Sequence, residues 1–395
     1  MDRGQAALPA RAPELDGARL SHLFYDGAVI HSRAHRRLIT LATLALTAGC
    51  QGTAVRPGPA PGDLPQWELD NPVRPLPRPP LGLDVELASA KVRVTPEKVR
   101  LGRWLFFDSR LSRDGTVSCA TCHQPEFAFS EPTPRSKGVG GQEGTRKAPP
   151  IVNVAFPLYQ HYFWDGRAGS LAEQAKGPIA NPIEMANTPE GAVRTAVTIA
   201  GYRRAFREVY GDDRLDIDRI ADAIAAYEAT RLSGDSAYDR HAAGDEEALS
   251  PEAREGHDIF FGRGRCNACH LGPNLTDSRF HNVGIGFEPK PRDLVGHGFD
   301  DPGRYAVTHE PADIGAFKTP TLRDVSKHAP YMHDGSSPDL RDAVLRYVRI
   351  EANPWLDPAM QEVRVSPFDV APLVAFLRSL DGTGYEDVPP RSFPQ

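Results

Sequence analysis

Cys119-Ala-Thr-Cys122-His123 and Cys266-Asn-Ala-Cys269-His270 are two copies of one short signature. Two thiols three residues apart can bond to both vinyl groups of one haem, and the histidine that follows can reach its iron. Each copy reads as a c-type haem attachment site. Cys119, Cys122, Cys266 and Cys269 would be the anchors, and His123 and His270 the iron ligands. Zinc and a disulfide framework are the alternatives. Motifs that close one zinc site lie roughly 15–20 residues apart, whereas 144 positions separate Cys122 from Cys266. Disulfides leave both histidines unexplained. Two covalent haems are the expectation.

Elements must hold these motifs, and their signals are helical. Thr95-Pro96-Glu97, Thr188-Pro189-Glu190 and Ser250-Pro251-Glu252 each place a cap, a first-turn proline and an early acid in order. Ser170 with Glu173, and Ser366 with Asp369, have capping-box spacing. Ile217, Ile220, Ala221, Ile224 and Tyr227 recur with helical period, as do Leu340, Val344, Tyr347 and Val348. No strand or hairpin signal stands out. The stretch from Leu101-Gly102 to Phe106-Phe107 and the stretch from Glu255-Gly256 to Phe260-Phe261 each lead into a Cys-x-x-Cys-His motif, which is an internal duplication. The expected fold is mostly α: two cytochrome c-like haem domains with long irregular loops, over 83–235 and 236–385, joined by a linker helix around 216–230. A tail, 386–395, follows.

The 40% hydrophobic and 25% charged composition, with a net charge of −6, suits a globular body and gives no reason to expect nucleic acid. Arg33, Arg36 and Arg37 precede an apolar run from Leu38 to Leu46 and then Thr47-Ala48-Gly49-Cys50, the layout of an export signal. Cys50 is the one cysteine outside the motifs and reads as a lipidation site, with an ordinary signal cut nearby as the alternative. Residues 1–49 are thus an upstream extension and signal peptide, with Val29 the expected true start. Residues 50–82 are the lipoprotein cysteine and a tether, in which nine prolines between Pro57 and Pro80 favour extended chain. The expected location is the periplasm or cell envelope, anchored by lipid alone.

Further motifs surround the two signatures: Leu105-Phe-Phe-Asp-Ser-Arg-Leu-Ser-Arg-Asp-Gly115, Phe163-Trp-Asp-Gly-Arg-Ala168, Gln174-Ala-Lys-Gly-Pro178 with Asn181-Pro-Ile-Glu184-Met185, Phe317-Lys-Thr-Pro-Thr-Leu-Arg323, and Ala329-Pro-Tyr-Met-His-Asp-Gly335. In order and spacing the chain resembles the bacterial di-haem cytochrome c peroxidases and their MauG-like relatives over about residues 83–383. The resemblance implies peroxide chemistry at the first haem. Glu184 then matches a distal carboxylate, Gln174 a distal amide, and Pro178 the proline between them. A carboxylate above the iron can take and return the peroxide proton, and an amide can orient the peroxide. Trp164 matches a tryptophan between the haems. No histidine lies between His123 and His161, so the expectation is a first iron open in the resting ferric state.

The same resemblance puts Tyr347 at the second haem's sixth position, as in the MauG-like branch, with Met332 as rival ligand. A phenolate favours oxidised iron over reduced iron. The family commonly holds calcium between its domains. Lys147 stands where an asparagine ligand is usual and His328 where threonine is usual, so calcium is doubtful here. Gly264 stands where some MauG-like members carry a surface tryptophan. Three functions follow in order. The first is an exported peroxidase that cleaves hydrogen peroxide at the first haem, shares oxidising equivalents with the second, and takes electrons from a small cytochrome c or copper protein. The second is a MauG-like enzyme oxidising side chains of a partner protein. The third is a non-catalytic electron carrier.

Overall fold

The computed structural model describes residues 64–83, 92–156, 159–288 and 298–395. Cys50, the export signal and the first part of the Pro-rich stretch lie outside the described residues.

The helices, in chain order, are α1 (Gln66–Leu69), α2 (Pro96–Phe107), α3 (Cys119–Cys122), α4 (Leu171–Ala180), α5 (Pro189–Thr198) and α6 (Ala200–Tyr210). There follow α7 (Ile217–Glu228), α8 (Ala237–Ala242), α9 (Pro251–Phe261), α10 (Tyr305–Thr308), α11 (Leu340–Val348) and α12 (Val370–Arg378). Among the described residues the only sheet pairs Phe280–His281 with Phe317–Lys318, antiparallel. The chain is helix-rich, as its caps and periodicity indicate. Thr95 accepts from the Lys98 N–H at 3.2 Å, Thr188 from Gly191 at 3.0 Å and Ser250 from Ala253 at 3.1 Å. Each such cap contributes about 1 kcal/mol. Ser366 and Asp369 form the reciprocal box. Ser170 caps the Glu173 N–H, but the Glu173 carboxylate reaches one residue further back, to the Gly169 N–H.

Among the described residues two large hydrophobic cores organise the fold, and the sequence duplication is visible in them. In the first, α2 lies against α7, and Gly102 makes this possible because a Cβ there would come within 1.8 Å of the Ala223 carbonyl oxygen. In the second, α9 lies against α12, and Gly256 plays the same part, a Cβ coming within 1.9 Å of the Pro372 carbonyl oxygen. Both glycines permit backbone contact that any side chain would prevent. The helix expected to join two domains, α7, is instead a wall of the first core. Ile220, Ala221, Ala223, Ile224 and Tyr227 are all fully buried in it, because its apolar stripe meets α2 rather than spanning a gap.

The segment expected as a plain tether and the terminal tail are also packed where they are described. Trp67 is buried against Trp104, with ring centroids 5.1 Å apart. Proline content alone does not register one tryptophan able to enter the core. Asp387 pairs with Arg103 at 2.8 Å and accepts from the Tyr227 hydroxyl at 2.9 Å, so the last residues close over α2 and α7.

Candidate active site: two motif histidines and the residues between them

The short helix α3 presents Cys119 and Cys122, and the His123 N–H closes onto the Cys119 carbonyl at 2.9 Å. The His123 Nδ1 lies 3.1 Å from the Phe129 carbonyl oxygen. In the second motif, the His270 N–H closes onto the Cys266 carbonyl at 2.9 Å and its Nδ1 lies 3.1 Å from the Leu275 carbonyl. The geometry requires Nδ1 to carry the proton and leaves Nε2 as a lone pair, the orientation a metal-ligating imidazole needs. Burial lowers the pKa of both rings and so keeps them neutral.

Cys119 packs on the first core and Cys266 on the second. The four motif cysteines therefore belong to two separate sites and do not converge on one zinc. Around the second motif is an apolar cavity, lined by Cys266, Cys269 and His270 together with Phe260, Val344 and Leu373. A flat apolar macrocycle fits such a lining, and His270, its Nδ1 engaged, would hold the iron through Nε2. Tyr347 and Met332 both line this cavity. Burial raises the Tyr347 phenol well above its usual range, with further contributions from Cys266 and Cys269. Among the described residues that hydroxyl has no hydrogen-bond partner.

At the first motif, Gln174 and Pro178 lie one turn apart on α4. Proline at 178 removes the N–H that would bond the Gln174 carbonyl. The chain then turns back, with the Met185 N–H on the Pro178 carbonyl at 3.1 Å and the Glu184 N–H on the Asn181 carbonyl at 3.1 Å. This brings Glu184 to the end of α4. Its carboxylate accepts from Asn181 Nδ2 at 2.7 Å. Burial pushes its pKa up, while Asn181 and Arg167 restrain the rise. Beyond burial, Glu228 acts on the Cys119 thiol and Glu131 on the Cys122 thiol, with Glu184 a weaker influence on both. The Gln174 amide makes no hydrogen bond among the described residues.

Trp164 lines the second cavity, and its neighbour Phe163 packs on the first core. Its indole N–H donates to the Lys147 carbonyl at 2.8 Å, and its ring lies 6.5 Å from that of His333, edge to face. His333 is stacked on Phe317. The loop from Phe129 to Pro150 walls both sites. Its Phe129 carbonyl holds His123, while Ser130, Lys147, Ala148 and Pro150 line the second cavity.

Three groups here were not foreseen. Glu228, 3% exposed at the end of α7, has a carboxyl oxygen without a partner, and burial pushes its pKa up to about 8. His281 lies between Asp277 at 2.8 Å and Asp357 at 2.7 Å, and its pKa is pushed up to about 11, chiefly by Asp277. Lys318 is buried at the cavity wall over the Tyr159 ring, and burial lowers its pKa to about 7. The i,i+4 spacing of Asp277 and His281 was available in the sequence; Asp357 and the burial of Glu228 were not.

The family model for di-haem cytochrome c peroxidases matches residues 96–247. Methylamine utilization protein MauG of Methylorubrum extorquens is 38% identical over 289 residues, 73% of this chain and 79% of that protein. The chain belongs to the di-haem cytochrome c peroxidase and MauG family. Cytochrome c551 peroxidase of Nitrosomonas europaea is 39% identical over 294 residues, covering 73% of this chain and 82% of that one. A solved MauG-like protein associated with microbial copper homeostasis superposes with a TM-score of 0.67 at 29% identity, covering 84% of this chain and 98% of that one. This di-haem peroxidase is therefore an oxidoreductase with two covalently bound haem c groups, acting on hydrogen peroxide with an electron donor or a partner protein. Among the described residues no helix is long and apolar enough to cross a membrane.

Proposed function

We propose that hydrogen peroxide is cleaved at the first motif, beneath Glu184, and that the second motif shares the resulting oxidising equivalents through Trp164. The observation that carries this reading is an asymmetry: the half-buried Glu184 carboxylate, held by Asn181, is among the carboxyls whose charge reaches the first motif's cysteines, whereas the half-buried Tyr347 phenol lines the second motif's cavity. Bound haem supplies iron to coordinate peroxide and to pass electrons. Overall, peroxide takes two electrons and two protons and leaves as two waters. Glu184 would accept a proton from one peroxide oxygen and return it to the leaving oxygen. Gln174, its amide unengaged, orients the peroxide and donates to the developing charge. Pro178 holds α4 and the Glu184 turn in register through its carbonyl. Trp164 carries electrons between the sites. Cys119, Cys122 and His123 hold the first haem, Cys266, Cys269 and His270 the second, in two cytochrome c-like domains.

Tyr347 favours the MauG-like version, in which a partner protein's side chains are the electron source, over an ordinary peroxidase fed by a small cytochrome or copper protein. Tyr347 lines the second cavity, and among the described residues its hydroxyl has no hydrogen-bond partner, as an iron ligand requires. Met332 lines the same cavity in a turn where its φ is +73°. A pure electron carrier has no use for a carboxylate and a free amide at one iron. Export through the N-terminal signal and anchoring through Cys50 put this chemistry in the periplasm or cell envelope. The test is peroxide turnover by the wild-type holoenzyme and by Glu184→Gln. The variant should keep both haem spectra and lose turnover by roughly 10²–10⁴-fold. Unchanged turnover would refute the assignment.

A further inference from the structure

We propose that the Lys147 ammonium is a built-in cation standing where the family's calcium is expected, and that by pinning its loop it lets the Lys147 backbone position Trp164 between the two sites without a divalent ion. This rests on the reading of Trp164 as the link between the haems. Lys147 is 4% exposed, yet among the described residues its ammonium meets no carboxylate directly. It donates to the backbone carbonyls of Glu131 and, at 3.5 Å, Thr133. Carbonyl oxygens converging on a cation are what a hard metal ion would use. The Glu131 carboxylate, 3% exposed, supplies the nearby negative charge while accepting from the Ala148 N–H at 2.8 Å and from the Ser136 and Thr133 hydroxyls. Burial lowers the Lys147 pKa to about 8, against the pull of Glu131, which leaves the charged form in the majority at neutral pH.

The backbone of the same residue does the positioning. Its N–H donates to the His333 carbonyl at 2.9 Å and its carbonyl accepts the Trp164 indole at 2.8 Å. Next to it, Arg146 pairs with Asp165 at 2.6 Å. Arg146-Lys147 thus grips Trp164-Asp165 while the ammonium pins the loop that follows the first motif. His328, buried nearby, is held neutral by burial and by the charges of Lys147 and Lys327, so it adds no second charge. A divalent ion at these carbonyls would share the space with a fixed ammonium, and like charges in a poorly solvated site repel strongly. Calcium does not fit the residues present.

The test uses the holoenzyme, dialysed against calcium and then treated with EGTA, with metal content, thermal unfolding and electron exchange between the haems as readouts. Wild type should retain no stoichiometric calcium, and EGTA should change neither its melting temperature nor its exchange rate. Lys147→Met should keep both haem spectra and slow exchange by roughly tenfold or more through misplaced Trp164. Bound calcium, EGTA-sensitive melting or unchanged exchange in Lys147→Met overturns the proposal. Trp164→Phe, measured in parallel, separates the two claims. If it exchanges electrons like wild type, the link through Trp164 fails, while metal content and melting still judge the cation. If Lys147→Met does not fold, the wild-type calcium and EGTA measurements decide.

Discussion

The Trp164 indole N–H donates to the Lys147 carbonyl at 2.8 Å, tying a tryptophan of the second cavity's wall to the loop that walls both motifs. The contact is buried at both ends. Losing it has two separable consequences. Trp164→Phe keeps a ring but strips the carbonyl of its partner, which should cost about 1–3 kcal/mol in denaturant unfolding of the holoprotein. It should also slow electron exchange between the haems. A variant that is destabilised but exchanges normally would reduce Trp164 to a packing residue.

The pH dependence of peroxide reaction should report Glu184. Its working form is the carboxylate, since it must accept a proton. Burial raises its pKa, so the rate should climb with pH through an inflection above the ordinary carboxylate value near 4.3. In Glu184→Gln the acid limb should vanish along with most of the rate. An acid limb that survives in that variant belongs to another group.

Replacing the phenol should be visible electrochemically. Tyr347→Met exchanges an anionic oxygen ligand for a thioether and should raise the second haem's potential by a sizeable part of the roughly 0.8 V that axial ligands span. The first haem should hardly move. If Tyr347→Met leaves the potential unchanged and substitution of Met332 shifts it, the rival ligand holds the iron.

Glu228 should make stability fall with rising pH. Its folded pKa of about 8 lies above the unfolded carboxylate value, so the native state binds the extra proton between the two. The contribution is fully present below about pH 4.3 and is lost as pH rises through about 8. Glu228→Gln, which mimics the protonated form, should flatten that slope and stabilise the protein at pH 8 and above. Parallel slopes in melting temperature for the two proteins would exclude Glu228 as the source.

Much of this arrangement was legible in the residues because it depends on local rules. Thr95, Thr188 and Ser250 cap helices through hydrogen bonds three residues ahead, and the histidine after each Cys-x-x-Cys is fixed by its own turn. The role of α7 was not legible: an apolar stripe marks a buried face without naming what covers it, and α2 covers this one. Nor was the grip on Trp164, since the acceptor is a backbone carbonyl and carries no side-chain signature. The bracket around His281 escaped for another reason, Asp357 being distant in sequence from Asp277.

The most direct test mixes the fully oxidised di-haem protein with hydrogen peroxide, without reductant, in a stopped-flow spectrometer. An open first iron beneath Glu184, coupled through Trp164 to a Tyr347-liganded second iron, should react at once, with both haem spectra changing together. No spectral change until one haem is reduced would contradict that account.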